Sequence, residues 1–314
     1  MKKVLIIGSG SVAKKHISNL LSLGYHPIAI HNQRLKNYFK TETKISYIRD
    51  FKSIKKIEIL FVLICNSTDK HFKYLKYFLK KNIHIYCEKP IVNKSTDLNL
   101  LRKIFKKNKK LFLFVGYQLL RNMTVIKLKN LLKNKKVISA NIYVGHNIKY
   151  WRKNNRKQSY YLNYKKGGGA IFELIHEINL IKYLFGEITL IKTLKRKVIG
   201  GKYEDLAVSI FKTNKDTLGT INQEMINENY KRNLSILTLN EQIDVDIFRG
   251  TIKIIKKNKV IKKIICEKYD QINLLKENLK YFINCLKKKK IKIVNQELIN
   301  SLNDIVIANK MHND

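Results

Sequence analysis

At 314 residues and 45% hydrophobic, the chain has room and apolar material for two ordinary globular domains. Its formal charge of +41 brings nucleic acid and anionic membranes to mind. Only nine of the 64 basic residues are Arg, however, and the lysines are spread through every segment in the company of abundant Ile, Asn and Tyr, a bias of A/T-rich codons that argues against a specific nucleic-acid site. No apolar run approaches the length of a membrane span, and the run after Lys2 and Lys3 stops at Gly8, too early for a secretory leader. Cys65, Cys87, Cys266 and Cys285 show no CxxC or metal-ligand spacing. The expectation is a cytoplasmic protein that holds no metal and does not bind a membrane.

In chain order, residues 3–7 form a short β-branched strand that runs into Gly8-Ser9-Gly10-Ser11-Val12-Ala13 and then a helical pattern ending at Gly24. Strand, glycine turn and helix are the context a dinucleotide fingerprint requires: Gly8 permits the turn, Gly10 lets the backbone approach a pyrophosphate, and Ala13 lets the helix pack closely on the strand. The helix N-terminus then offers free N–H groups to phosphate. After the second strand (27–30) an NAD site usually places an acid, but here the residues are His31, Asn32, Gln33 and Arg34; Arg34 suits a ribose 2′-phosphate and tips the expectation to NADP over NAD.

Residues 59–64 read as a strand buried on both faces, followed by helix-capping chemistry at Asn66, Ser67, Thr68 and Asp69 and a helix to about 81. A strand at 83–86 delivers Cys87-Glu88-Lys89-Pro90. A helix at 95–107 and a strand at 111–115 lead to Gly116-Tyr117. The alternation predicts an α/β fold with a doubly wound parallel Rossmann sheet, its ligand edge carrying Gly8, Gly10, Asn66, Glu88, Lys89 and Tyr117. Beyond it lie a helix (125–132), a strand (137–145) and an irregular aromatic tract with Tyr150, Trp151, Tyr160, Tyr161 and Tyr164. Strands at 190–197, 206–212, 217–225, 234–238, 242–248 and 251–256 and helices at 274–286 and 297–310 complete a second, α+β domain on a mainly antiparallel sheet. The division is 1–118 and 119–314, with the last helix returning to the first domain.

Gly167, Gly168 and Gly169 introduce a helical pattern of Ile171, Leu174, Ile175, Ile178, Ile181 and Leu184 that Gly186 ends. Three glycines suit a backbone that comes close to a ligand. On one continuous helix Glu173 and His176 are i and i+3, a carboxylate and an imidazole on one face, fit to handle a proton.

These motifs together resemble the glucose–fructose oxidoreductase / inositol dehydrogenase / rhizopine-catabolism (Gfo/Idh/MocA) family of NAD(P)-dependent oxidoreductases. The matching features are Gly8 to Ala13 with His16 after them, Glu88-Lys89-Pro90, Gly116-Tyr117-Gln118 with Arg121, and the glycine-led helix carrying His176. The Trp151-Arg152 tract and the His176-Glu177 pair are most similar to members acting on sugars or nucleotide sugars. The resemblance implies hydride transfer between nicotinamide and a secondary alcohol or ketone of such a sugar, in bacterial surface polysaccharide or sugar metabolism. Lys89, aimed by a cis Lys89–Pro90 turn, and His176 would share the proton transfer. Glu173 stands where the family usually has Asp. The implied cofactor residues are Gly8, Gly10, Ser11, Val12, Asn32, Arg34, Asn66, His71, Glu88 and Lys89. Tyr117, Arg121, Trp151 and Tyr160 (or Tyr161) would meet substrate. The resemblance also implies a homodimer or homotetramer formed on the second domain's sheet, and it leaves open a catalytically silent, ligand-sensing regulator.

Overall fold

A computed structural model of the chain describes residues 2–56, 58–108, 110–150, 163–199, 202–268 and 270–314. Trp151, Tyr160 and Tyr161 lie outside the described residues. The chain divides into two compact units, Met1–Tyr117 with Leu275–Leu302, and Gln118–Leu274 with Asn303–Asp314. The sequence reading set its boundary at 118 and returned only 297–310 to the first domain.

The first unit is a six-stranded, wholly parallel sheet: β1 (Lys3–Ile7), β2 (His26–Ile30), β3 (Ser46–Ile48), β4 (Phe61–Ile64), β5 (Ile85–Cys87) and β6 (Leu113–Val115), in the order β3-β2-β1-β4-β5-β6. The order reverses between β1 and β4, which makes that crevice the switch point where such sheets bind ligands. Val4, Ile6, Phe61 and Leu63 alternate onto one face and pack on Ala13, Ile17 and Leu20 of α1 (Ser11–Ser22). After α2 (Gln33–Tyr38) the other face is served by α3 (His71–Lys80), which packs on β4, β5 and α4 (Ser95–Lys106). Leu279, Phe282, Ile283 and Cys285 complete the α1 side of the core, with Val294. Sequence patterning missed α2 and β3, each too short to show a period.

The second unit is an eight-stranded sheet built from β7 (Val137–Gly145), β8 (Ile188–Arg196), β9 (Leu206–Thr213), β10 (Leu218–Glu224), β11 (Lys231–Thr238), β12 (Gln242–Asp246), β13 (Thr251–Lys256) and β14 (Lys259–Ile265). The order is β14-β13-β12-β11-β7-β10-β9-β8, and only the β7–β10 pairing is parallel. β14 is an addition to the sequence reading: its exposed Lys259, Lys262 and Lys263 hide a strand signal and also blunt the edge against further pairing. Helices α5 (Met123–Leu132), α6 (Ala170–Glu173) and α7 (His176–Phe185) contact strands of this sheet. On β9, Ala207, Ser209 and Phe211 point inward, while Val208 and Ile210 are exposed beside Leu190, Leu194 and Leu218. The final helices are α8 (Gln271–Lys287) and α9 (Ile291–Asn313), each longer than its apolar pattern. Within the second unit, Asp304 of α9 is buried against Lys182 Nζ (3.0 Å) and Asn179 Nδ2 (2.7 Å) of α7; burial outweighs the lysine and pushes its carboxyl pKa up. No helix among the described residues is long and apolar enough to cross a membrane.

Candidate active site

The C-terminal ends of β1, β4, β5 and β6 bring Gly8, Asn66, Glu88, Lys89, Gly116 and Tyr117 to one edge of the first sheet. Gly8 has φ +148, and a Cβ there would stand 2.8 Å from the Cys65 carbonyl group and 3.0 Å from Asn66 N, so the tight turn tolerates no side chain. Gly10 caps α1 with no side-chain hydrogen bond, no acid stands in the first turn, and a Cβ at Gly10 would meet nothing within 4 Å. The positive end of α1 is thus un-neutralised and faces open space, beside exposed Ser11 and half-buried Val12. This cradle fits a dinucleotide pyrophosphate. At the end of β2, Asn32 Oδ1 accepts from Leu35 N (3.2 Å) and caps α2, leaving Arg34 exposed in that helix's first turn.

The Lys89–Pro90 peptide is cis, and Lys89 is half-buried. Its two flanks are anchored. Glu88 Oε1 accepts from His16 Nε2 (2.7 Å), a buried pair that ties the strand end to α1. On the other side His71 is buried, with Nδ1 3.0 Å from Pro90 O and Nε2 3.1 Å from Asn66 O. Burial holds its pKa below the ordinary value, and a neutral ring donates to one carbonyl at a time. Both His71 nitrogens therefore face the chain's own backbone, where the sequence reading had put cofactor. Burial also pushes the Cys65 and Cys87 thiols well above their usual pKa, which makes them inert core residues. Tyr117 is buried at the end of this edge.

In the second unit the expected single helix is two. α6 ends at Glu173, Leu174 adopts φ −103 and ψ 32, and α7 starts at His176. Glu173 and His176, both buried, are therefore not an i and i+3 pair on one continuous helix. Gln223 on β10 meets the chain at this break: its Nε2 donates to Leu174 O (2.8 Å) and, more weakly, to Ile171 O (3.5 Å), carbonyls that a continuous helix would use itself. The glycine lead-in also differs from expectation. Gly169 has φ +95, and a Cβ there would lie 2.5 Å from Glu204 Oε1. Glu204 O accepts from Ala170 N (2.9 Å) and its Oε1 from Ile171 N (3.3 Å), so the close approach is by the chain's own carboxylate. Glu177, beside His176, is pinned in a buried ion pair with Arg232 of β11, Nε to Oε1 2.9 Å. Arg121 ends a 3-10 turn, Gln118–Arg121, next to Asn122, which caps α5. Sequence spacing offered no sign of Gln223, Glu204 or Arg232, since their partners are 33 to 55 positions away.

A profile of the oxidoreductase family with an NAD-binding Rossmann fold matches residues 2–117. A myo-inositol 2-dehydrogenase of Thermotoga maritima is 24% identical over 192 residues, which is 59% of this chain and 55% of that protein, so the match spans about half the length of the relative. Among solved structures, a levoglucosan dehydrogenase in complex with NADH and levoglucosan superposes with a TM-score of 0.84 at 14% identity, covering 99% of this chain and 96% of the other. A UDP-N-acetylglucosamine 3-dehydrogenase from Acidithiobacillus ferrooxidans gives 0.80 at 15% identity, with 99% and 96% covered. The two-unit fold is shared across the whole length of those structures, and residues 2–117 match the Gfo/Idh/MocA oxidoreductase family model with its NAD-binding Rossmann fold.

Proposed function

We propose that this protein is an NAD(P)-dependent dehydrogenase or reductase acting on a secondary alcohol or ketone of a sugar or nucleotide sugar. The observation that carries the reading is Lys89: the chain presents this amine on the same sheet edge as the open N-terminus of α1. The sugar and nucleotide-sugar dehydrogenases that share the fold support the substrate class.

When bound, nicotinamide supplies the hydride chemistry. The chain's own residues do the rest. Gly8, Gly10, Ser11 and Val12 would hold the pyrophosphate with backbone N–H groups, with Asn66 also on the cofactor side, and Arg34 with Asn32 would receive the adenosine ribose, with NADP favoured over NAD because no acid stands there. Lys89 hydrogen-bonds the reacting oxygen and shares its proton, with Glu88 and His71 holding its loop from either side. His176 serves as general base or acid on the substrate hydroxyl, and Glu173 orients it. Tyr117 and Arg121 are the sugar-contacting candidates among the described residues, and Trp151 and Tyr160 lie outside them. The exposed apolar strip Leu190, Leu194, Val208, Ile210 and Leu218 on the second sheet is the contact of a homodimer or homotetramer.

The test starts with the purified protein: release NAD(H) or NADP(H) by denaturation, titrate both, and screen myo-inositol, levoglucosan and UDP-N-acetylglucosamine at 340 nm. Turnover should fall about 10²–10⁴-fold in Lys89→Met while cofactor affinity holds within about threefold. Cofactor binding without turnover on any polyol or sugar moves the reading to a ligand sensor. No binding of either dinucleotide sinks it.

A further inference from the structure

The break between α6 and α7 is made by a residue from another element. Gln223 sits fully buried on the inner face of β10, between Ile221 and Met225. Its Nε2 takes Leu174 O at 2.8 Å, an oxygen that also receives a long 3.4 Å bond from Glu177 N. A continuous helix would instead give Ile171 O to residue 175 and Leu174 O to residue 178. Nothing else in the local sequence demands a break: residues 170–178 contain no proline and no glycine. An amide buried to 0% exposure is costly unless its hydrogen bonds are made, so its N–H groups compete strongly for those carbonyls. Gln223 Oε1 has no hydrogen-bond partner among the described residues, so the side chain's engagement is through these donors.

We propose that Gln223 is a positioning residue: by holding Leu174 O and Ile171 O it divides one helix into two, and it thereby sets where Glu173 and His176 point. Glu173 closes the first helix and His176 opens the second, a relation that a single 3.6-residue helix does not provide. The role in turnover rests on the proposed function, whereas the role in the helix break does not.

The experiment compares Gln223→Met and Gln223→Glu with the wild type by amide hydrogen exchange over residues 170–178, by NAD(H) titration, and by kinetics on whichever substrate the wild type turns over. Met fills the space without a donor. The expected result is that the amides of Ile175 and Ile178 exchange about tenfold or more slowly as the helix closes up. kcat should fall about tenfold or more, and NAD(H) affinity should hold within about twofold. Glu can donate only when protonated, so Gln223→Glu should recover activity as pH falls, on a limb the wild type lacks. The other titrating or charged groups of this unit nearby in sequence or contact are Glu173, His176, Glu177, Arg232 and Glu204, and all are common to both proteins. A purely packing role for Gln223 would give no such limb. Unchanged exchange in a folded Gln223→Met, or Gln223→Glu activity that parallels the wild type at every pH, overturns the proposal. If the wild type turns over nothing, the exchange result still decides the helix break, and the failure belongs to the proposed function alone.

Discussion

Two glycine lead-ins open helices in this molecule, and they end in opposite states. At Gly8 and Gly10 the backbone turns tightly and leaves α1 with no capping side chain, no acid in its first turn and open space ahead of it. At Gly169 the same absence of a Cβ admits the Glu204 carboxylate, which caps α6 with both its backbone and side-chain oxygens. One helix dipole stays available to an outside anion, and the other is satisfied from within. Glycine before a helix therefore signals a close approach, and the partner in that approach is decided by residues far away in sequence. Here the capped helix carries Glu173 and leads on to His176, side chains suited to proton transfer, and the uncapped one offers backbone N–H groups, suited to holding charge.

Three substitutions probe that contrast. Gly169→Ala should be the most damaging, because its φ of +95 is hostile to a side chain and the new Cβ collides with Glu204; urea unfolding should show a loss of about 3 kcal/mol. A loss under about 0.5 kcal/mol would mean that the carboxylate moves aside freely. Gly10→Ala should behave in the reverse manner. Its φ of −78 suits alanine and no atom is near, so stability should stay within about 0.5 kcal/mol, while NAD(H) affinity should drop roughly 10–100-fold as the methyl occupies the pyrophosphate approach. Undiminished affinity would remove the pyrophosphate from Gly10. Glu204→Gln is the mildest: it keeps an acceptor for Ile171 N but removes the charge at the α6 N-terminus, an expected loss of about 0.5–1 kcal/mol with dinucleotide affinity unaltered.

The sheet edge was legible in the sequence because it is written in local order. A β-branched run followed by glycines, or by Glu88-Lys89-Pro90, positions its residues at a strand end without help from elsewhere. The glycine-led segment was only half legible. Its apolar period of three and four residues correctly gave helix and core, but periodicity is blind to a carbonyl taken by Gln223 or a terminus capped by Glu204. His16 stands in a sequence motif, yet its pairing with Glu88 across 72 positions follows only from α1 packing on β1 and β2 and from the His16 ring reaching Tyr86 of β5. The lysine-rich β14 was missed since charge on an exposed edge strand mimics a loop.

The first unit's core draws Leu279, Phe282, Ile283, Cys285 and Val294 from the far end of the chain to pack with Phe61, Phe114 and Ile17. A ribosome making this protein therefore completes the parallel sheet long before it makes the helix that covers one face. At common elongation rates the interval from residue 117 to 275 is roughly ten to thirty seconds. During that time the nascent Rossmann unit exposes apolar surface, and the gene cannot be cut after residue 117 to yield a finished nucleotide-binding module.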